Sequence, residues 1–188
     1  MSDDEFLGDR KKALEETFFA KQNAALLERM RAKREKQASI EALARASNIG
    51  DPEVLERLVE LGLDAASWAA LSLVPLVEVA WADGAVEARE RDAILTAAAE
   101  QGIAPGSPSR TLLEGWLGVR PDAALFATWG AYATELAAQL GADQRAALRA
   151  EIVERARVIA ESAGGMLRLG RVSDAEKRVI EALEKPFA

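Results

Sequence analysis

Apolar residues along this chain recur mostly every three or four positions, and Gly, Pro, Asp and Ser interrupt them at intervals. That spacing sets apolar side chains on one face of a helix, and no segment alternates as a half-buried strand would. The pattern predicts an all-α fold, a bundle of about seven to eight helices with a long helical arm in front. The arm helix is predicted over 9–46. Its early stripe holds Leu14, Phe18, Phe19, Leu26 and Met30, fails over 31–37, and returns at Ile40 and Leu43. A helix polar on all sides either leaves the core or waits for a partner. Gly50 is read as its stop. Asp51-Pro52 then supplies an N-cap and a proline in the first turn, for a second helix ending at Gly62.

The punctuation continues through the rest of the chain. Asp64 caps a short helix around Trp68, and Ser72 with Pro75 opens one reaching Trp81. Further helices are predicted over 87–101, 109–117, from Pro121 to Leu140, 143–163 and 174–185. The clearest loop is "IAPGSPS", and "GGMLRLGR", 164–171, is read as a plain turn. It lacks the Lys-Ser/Thr ending and the preceding strand of a phosphate loop. Two domains follow: an arm, 1–47, and a bundle, 51–188. Trp68, Trp81 and Trp129 are expected in the core and Trp116 at a groove edge.

Composition narrows the chemistry. There is no cysteine and no histidine, which removes thiol nucleophiles, Ser-His-Asp triads and the usual zinc sites. No pair of carboxylates sits recognisably in apolar surroundings, so the chain is read as non-enzymatic. The net charge of -7 is uneven. Residues 1–50 hold ten Lys/Arg and nine Asp/Glu, net +1, while 51–188 hold fourteen and twenty-two, net -8. An acidic body repels nucleic acid, and none is expected as a partner. The basic run 29–36 is diluted by Glu28 and Glu35 and is read as a solvated helix face. No apolar run approaches the ~18 residues of a membrane span, and the acidic start has no signal-peptide core. The expectation is a cytoplasmic protein without membrane insertion.

One stretch raises a specific question. In "WADGAVEARE", Asp83, Gly84, Val86 and Glu90 match the closing half of a calcium loop. The two earlier ligand positions hold Val79 and Trp81, which carry no side-chain oxygen. One reading puts Asp83 and Glu90 on a calcium or magnesium ion with Glu87 or Glu78 assisting. The other makes Gly84 a left-handed helix stop and Glu90 the third residue of a capping box. The cap is favoured, because Ser173-Asp174-Ala175-Glu176 is a Ser-x-x-Glu box in a matching segment. Segments 77–95 and 158–180 share a plan of apolar helix, glycine turn, valine and capped helix. Val86 matches Val172 and Glu90 matches Glu176, an internal repeat of helix-turn-helix units.

"LVEVAWADGAVEARERDAI" resembles the signature helix-turn-helix of the TerB-like domains, found in tellurite resistance proteins and in certain membrane-anchored DnaJ-like proteins. The resemblance is strong over 70–102 and extends over 121–185, with Gly164-Gly165 where an Asp-Gly is often seen. It implies a compact helical bundle with divalent-cation binding and a role in stress response or in a membrane-associated complex. The start resembles a second family. In "DRKKALEETF", Asp9, Arg10, Ala13, Glu15 and Phe18 match the opening of the ATPase-inhibitor zeta subunits, whose N-terminal helix blocks a rotary ATPase head.

The functional expectation is a TerB-like module for protein interaction. Its metal candidates are Asp83, Glu87 and Glu90. Its partner-binding candidates are Phe18, Phe19, Leu26, Met30, Arg31 and Arg34 on the arm. The alternative is a regulatory protein whose N-terminal helix binds a partner ATPase complex.

Overall fold

A computed structural model describes residues 3–162 and 172–188, with side chains from residue 18 onward. The turn expected over 164–171 lies outside the described residues. The described residues are all-α: eight α-helices, two short 3₁₀ helices and no strand. The chain forms two compact units, Met1–Glu41 and Ala42–Ala188.

Helix α1, Asp3–Ser47, supplies the whole of the first unit. From residue 18 to 35 every side chain is exposed. Apolar ones are no exception: Phe18, Phe19, Leu26, Leu27 and Met30 are all 46–61% exposed. Local helix propensity and pairs such as Gln37 Nε2 donating to Glu41 Oε1, 3.2 Å, hold this stretch helical. The end of α1 differs from expectation. Asn48, at φ 57°, makes the left-handed stop, a conformation its short polar side chain tolerates. Gly50 has another reason to be glycine: an added Cβ would stand 3.2 Å from Glu135 Oε1.

The second unit begins with the end of α1, where Leu43 is fully buried. It continues as α2 (Pro52–Glu60), a 3₁₀ helix (Trp68–Leu73), α3 (Val74–Ala80), α4 (Ala88–Glu100) and α5 (Pro108–Gly118). Then come α6 (Ala123–Gln139), α7 (Ala142–Ser162), α8 (Asp174–Glu184) and a closing 3₁₀ turn, Lys185–Phe187. Most starts are dictated locally. Asp51, Ser107, Asp122 and Ser173 each accept backbone N–H groups of the first turn. The chain also continues past Pro186, which sits within the last 3₁₀ turn and lets Phe187 reach the core.

Helix α3 is the centre of the core. All its residues but Glu78 are buried, as expected of a helix that is apolar all round. It packs against α4, α6, α7 and α8. Alanines at 133, 137, 156 and 160 are buried where α6 and α7 turn inward, and their small side chains allow close approach. Among α3, α4, α7 and α8 the contacts are closed under exchange of α3 with α7 and α4 with α8. Contacts α3–α4 and α7–α8 exchange with each other, as do α3–α8 and α4–α7, while α3–α7 maps onto itself.

The tryptophans correct the sequence reading in part. Trp129 is buried as expected and Trp116, also buried, lines a hollow beside Gly62 and Pro108, whereas Trp68 and Trp81 are only half-buried. Trp81 keeps its ring edge where Nε1 can donate to the Trp116 carbonyl, 2.8 Å, since a covered indole N–H needs a partner.

A long-range cap joins α6 to the start of α2. Glu135 Oε1 accepts the N–H groups of Gly50, 2.9 Å, and Asp51, 3.1 Å. Its other oxygen is buried without a partner among the described residues. Glu135→Ala removes both bonds; Gly50 is exposed and Asp51 half-buried, so water reaches the freed N–H groups, and a loss of about 0.5–1.5 kcal/mol is expected. Urea unfolding at neutral pH checks it. A change below ~0.5 kcal/mol would mean that these bonds carry no stability.

Candidate functional site

Helix α3 ends at Ala80, and the turn behind it is shaped by its own residues. Gly84 takes φ 100°, open to glycine and strained for other residues. Asp83 is exposed, and its Oδ1 accepts the Ala85 N–H at 3.3 Å, tying the turn to itself. Glu87 is exposed and stands at the N-cap of α4 in a capping box with Glu90. Glu90 is 3% exposed, and its Oε2 accepts the Glu87 N–H at 2.7 Å.

The same device closes the second helix-turn-helix. Ser173 caps α8, its Oγ accepting the Glu176 N–H at 3.2 Å. Glu176 in return accepts the Ser173 N–H and is buried. The charge of the second boxed glutamate reaches the first. Burial pushes the Glu90 carboxyl up to about 7, against the opposing effect of the Glu87 N–H bond. The charges of Asp83, Glu176 and Glu87 push it further in the same direction. Burial also raises Glu78 on α3, with Arg120 opposing.

Asp83, Glu87 and Glu90 are thus neighbours in sequence with separate structural employments. Among the described residues, no three Asp or Glu side chains gather closely enough to hold a metal ion. What the turn does with its acids is cap a helix and hold one carboxyl in apolar surroundings. That is an acid able to change its charge near neutrality.

The arm residues are placed differently. Phe18, Phe19, Leu26 and Met30 are exposed, and Arg31 and Arg34 are exposed beyond them. At 3.6 residues per turn, Leu26 and Met30 stand within about 20° of Phe19 around the helix axis. Phe18 lies about 100° away and meets Phe19 edge-on, centroids 6.0 Å apart. Leu27, at 60% exposure, extends the apolar area on the other flank. The sequence reading passed over Leu27, although its i,i+8 relation to Phe19 was there to see.

A third feature was not legible in the sequence. The second unit carries a hollow of about 470 Å³ between α6 and α7, floored by Trp129, Leu136, Leu148 and Ile152. A neighbouring one of about 390 Å³ lies between α4 and α7, around Leu76, Ala97 and Val158.

Comparison with protein-family models, with curated proteins and with solved structures finds no match to this chain. Among the described residues no helix is long and apolar enough to cross a membrane.

Proposed function

We propose that this chain is a non-enzymatic helical module that binds another protein through its N-terminal helix. The observation that carries the reading is the row Phe19, Leu26 and Met30, all exposed and on one face, flanked by Arg31 and Arg34. Soluble helices seldom expose several large apolar side chains together unless something covers them. Anchors at i, i+7 and i+11 are how a helix lies in the groove of a partner. The resemblance of 70–102 to TerB-like domains supports the same class, and with it a stress-related or membrane-associated setting. The resemblance of 9–18 to the zeta subunits supports an ATPase complex as the alternative partner. A cation role for the Asp83-Gly84 turn is the weaker reading, because Glu90 already serves the α4 cap.

The test is capture from an extract of the source organism on the immobilised full-length chain, beside a variant with Phe19, Leu26 and Met30 all changed to Ser. The expected result is a stoichiometric protein retained by the wild type, depleted at least about tenfold by the variant, with the variant's melt unchanged. Equal retention on both would refute the role of this face.

A further inference from the structure

We propose that the arm's apolar row docks onto the α7 groove of a second copy of this chain. This rests on reading the arm as a recognition surface and names what it recognises.

The groove is the pair of hollows described above, which adjoin along α7. Arg155 stands in the wall of both. Val158, in the second, is 51% exposed although it is a large apolar residue in a folded body. The dimensions agree. From Leu148 in the first hollow to Ile159 in the second, α7 advances eleven residues, about 16 Å. From Phe19 to Met30 the arm also advances eleven residues. Two helices with matched apolar stretches of equal length can lie along each other with their side chains interdigitated.

Charge decides between the kinds of self-association. Residues 18–36 carry six Lys/Arg against two Glu, net +4, and residues 42–188 carry fifteen Lys/Arg against twenty-two Asp/Glu, net -7. Two arms laid together would set +4 against +4. An arm on a body sets +4 against -7, with complementary sign to steer the encounter. The groove itself is rimmed by exposed acids: Glu100 and Glu154 at the second hollow, and Glu151 at the first. Two of these acids already have cation partners, Glu151 with Arg155 at 2.8 Å and Glu154 with Arg157 at 3.9 Å. The arm thus brings the apolar row, and its net positive charge is set against the net negative charge of the body.

Sedimentation velocity over a concentration series tests this. Three proteins are used: wild type, an arm variant with Leu26 and Met30 changed to Ser, and a groove variant, Val158→Glu. Both variants alter exposed positions, and their melts are checked first. A second groove variant, Glu100→Lys with Glu154→Lys, replaces Val158→Glu if that one fails to fold. Wild type is expected to associate, more weakly as salt rises, and each variant alone to associate at least about tenfold more weakly. The deciding sample is the mixture. The arm variant keeps its groove and the groove variant keeps its arm, so together they are expected to form a one-to-one complex that neither forms alone. A wild type that stays monomeric overturns the proposal. So does association lost in the arm variant and kept in the folded groove variant, which indicates arm-to-arm pairing. A monomer that instead floats with phosphatidylserine-containing vesicles overturns it in favour of a lipid surface. If the wild type is monomeric and still captures another protein through Phe19, Leu26 and Met30, this inference fails alone. If it is monomeric and captures nothing, the proposed function fails with it.

Discussion

Glu90→Gln is expected to be more stable than the wild type at pH 8 and to match it at pH 4. In the folded chain the Glu90 carboxyl is pushed up to about 7, chiefly by burial, from an ordinary 4.5. A carboxyl raised in this way binds its proton more tightly in the folded state than in the unfolded one. Its contribution is therefore fully present below about pH 4.5 and is lost as pH rises through about 7. The difference is on the order of 3 kcal/mol. Glutamine keeps an oxygen for the Glu87 N–H, as capping boxes with Gln do, and has no charge to bury. For a chain of this size the gain at pH 8 corresponds to roughly 5–10 °C in Tm. Taking the difference between variant and wild type at each pH removes the contributions of Glu78, raised by burial, and of Asp64, lowered chiefly by its Ser67 bond. A variant less stable than wild type at pH 8, or a difference that does not vary with pH, would refute this description of the cap. The same samples decide the cation question. A bound ion would raise the wild-type melt at pH 8 and leave the variant alone. With Glu90 holding the cap and, among the described residues, no three carboxylates gathered closely enough to hold an ion, calcium and magnesium are expected to leave both melts where EDTA leaves them.

Leu43→Ala is the second large effect, and its contrast with Leu26→Ala is the point. Both leucines lie on α1. Leu43 is 0% exposed and belongs to the second unit, while Leu26 is 56% exposed and belongs to the first. Truncating a fully buried leucine removes its transfer free energy and leaves a cavity, together about 2–5 kcal/mol. Truncating an exposed one stays within about 0.5 kcal/mol. Denaturant midpoints for the two variants give the comparison. Similar losses for both would mean that Leu26 is covered within the monomer, and the arm would then be part of the fold.

The helices were legible because their starts are written locally. Asp51-Pro52, Asp122 and Ser173 carry the capping oxygen beside the segment they cap. The largely apolar α3 and the two capping boxes were legible for the same reason, since each is settled within about ten residues. What depends on distant residues was not. The bond from Glu135 to Gly50 spans 85 positions, so Gly50 read as a helix stop when its neighbour is a carboxylate from α6. The order of burial among the tryptophans depends on which helix faces which, and only packing sets that. The effect of the Glu176 charge on Glu90 follows from where packing brings α4 and α8. The hollows along α7 exist only once α4, α6 and α7 are assembled. In the arm, periodicity marked the apolar row, and our reading is that the row serves recognition and not the core.

The most direct test of that last statement is the thermal melt of the chain begun at Ala42, compared with the full chain. Both are followed by tryptophan fluorescence at the lowest concentration that allows it, so that association adds nothing to either. All four tryptophans lie in the second unit. If the arm exists for recognition, the shortened chain melts in a single cooperative transition within about 2 °C of the full chain, consistent with a change under ~1 kcal/mol. A broad or strongly lowered transition would show that residues 1–41 complete the core, and the apolar row would then be a packing surface.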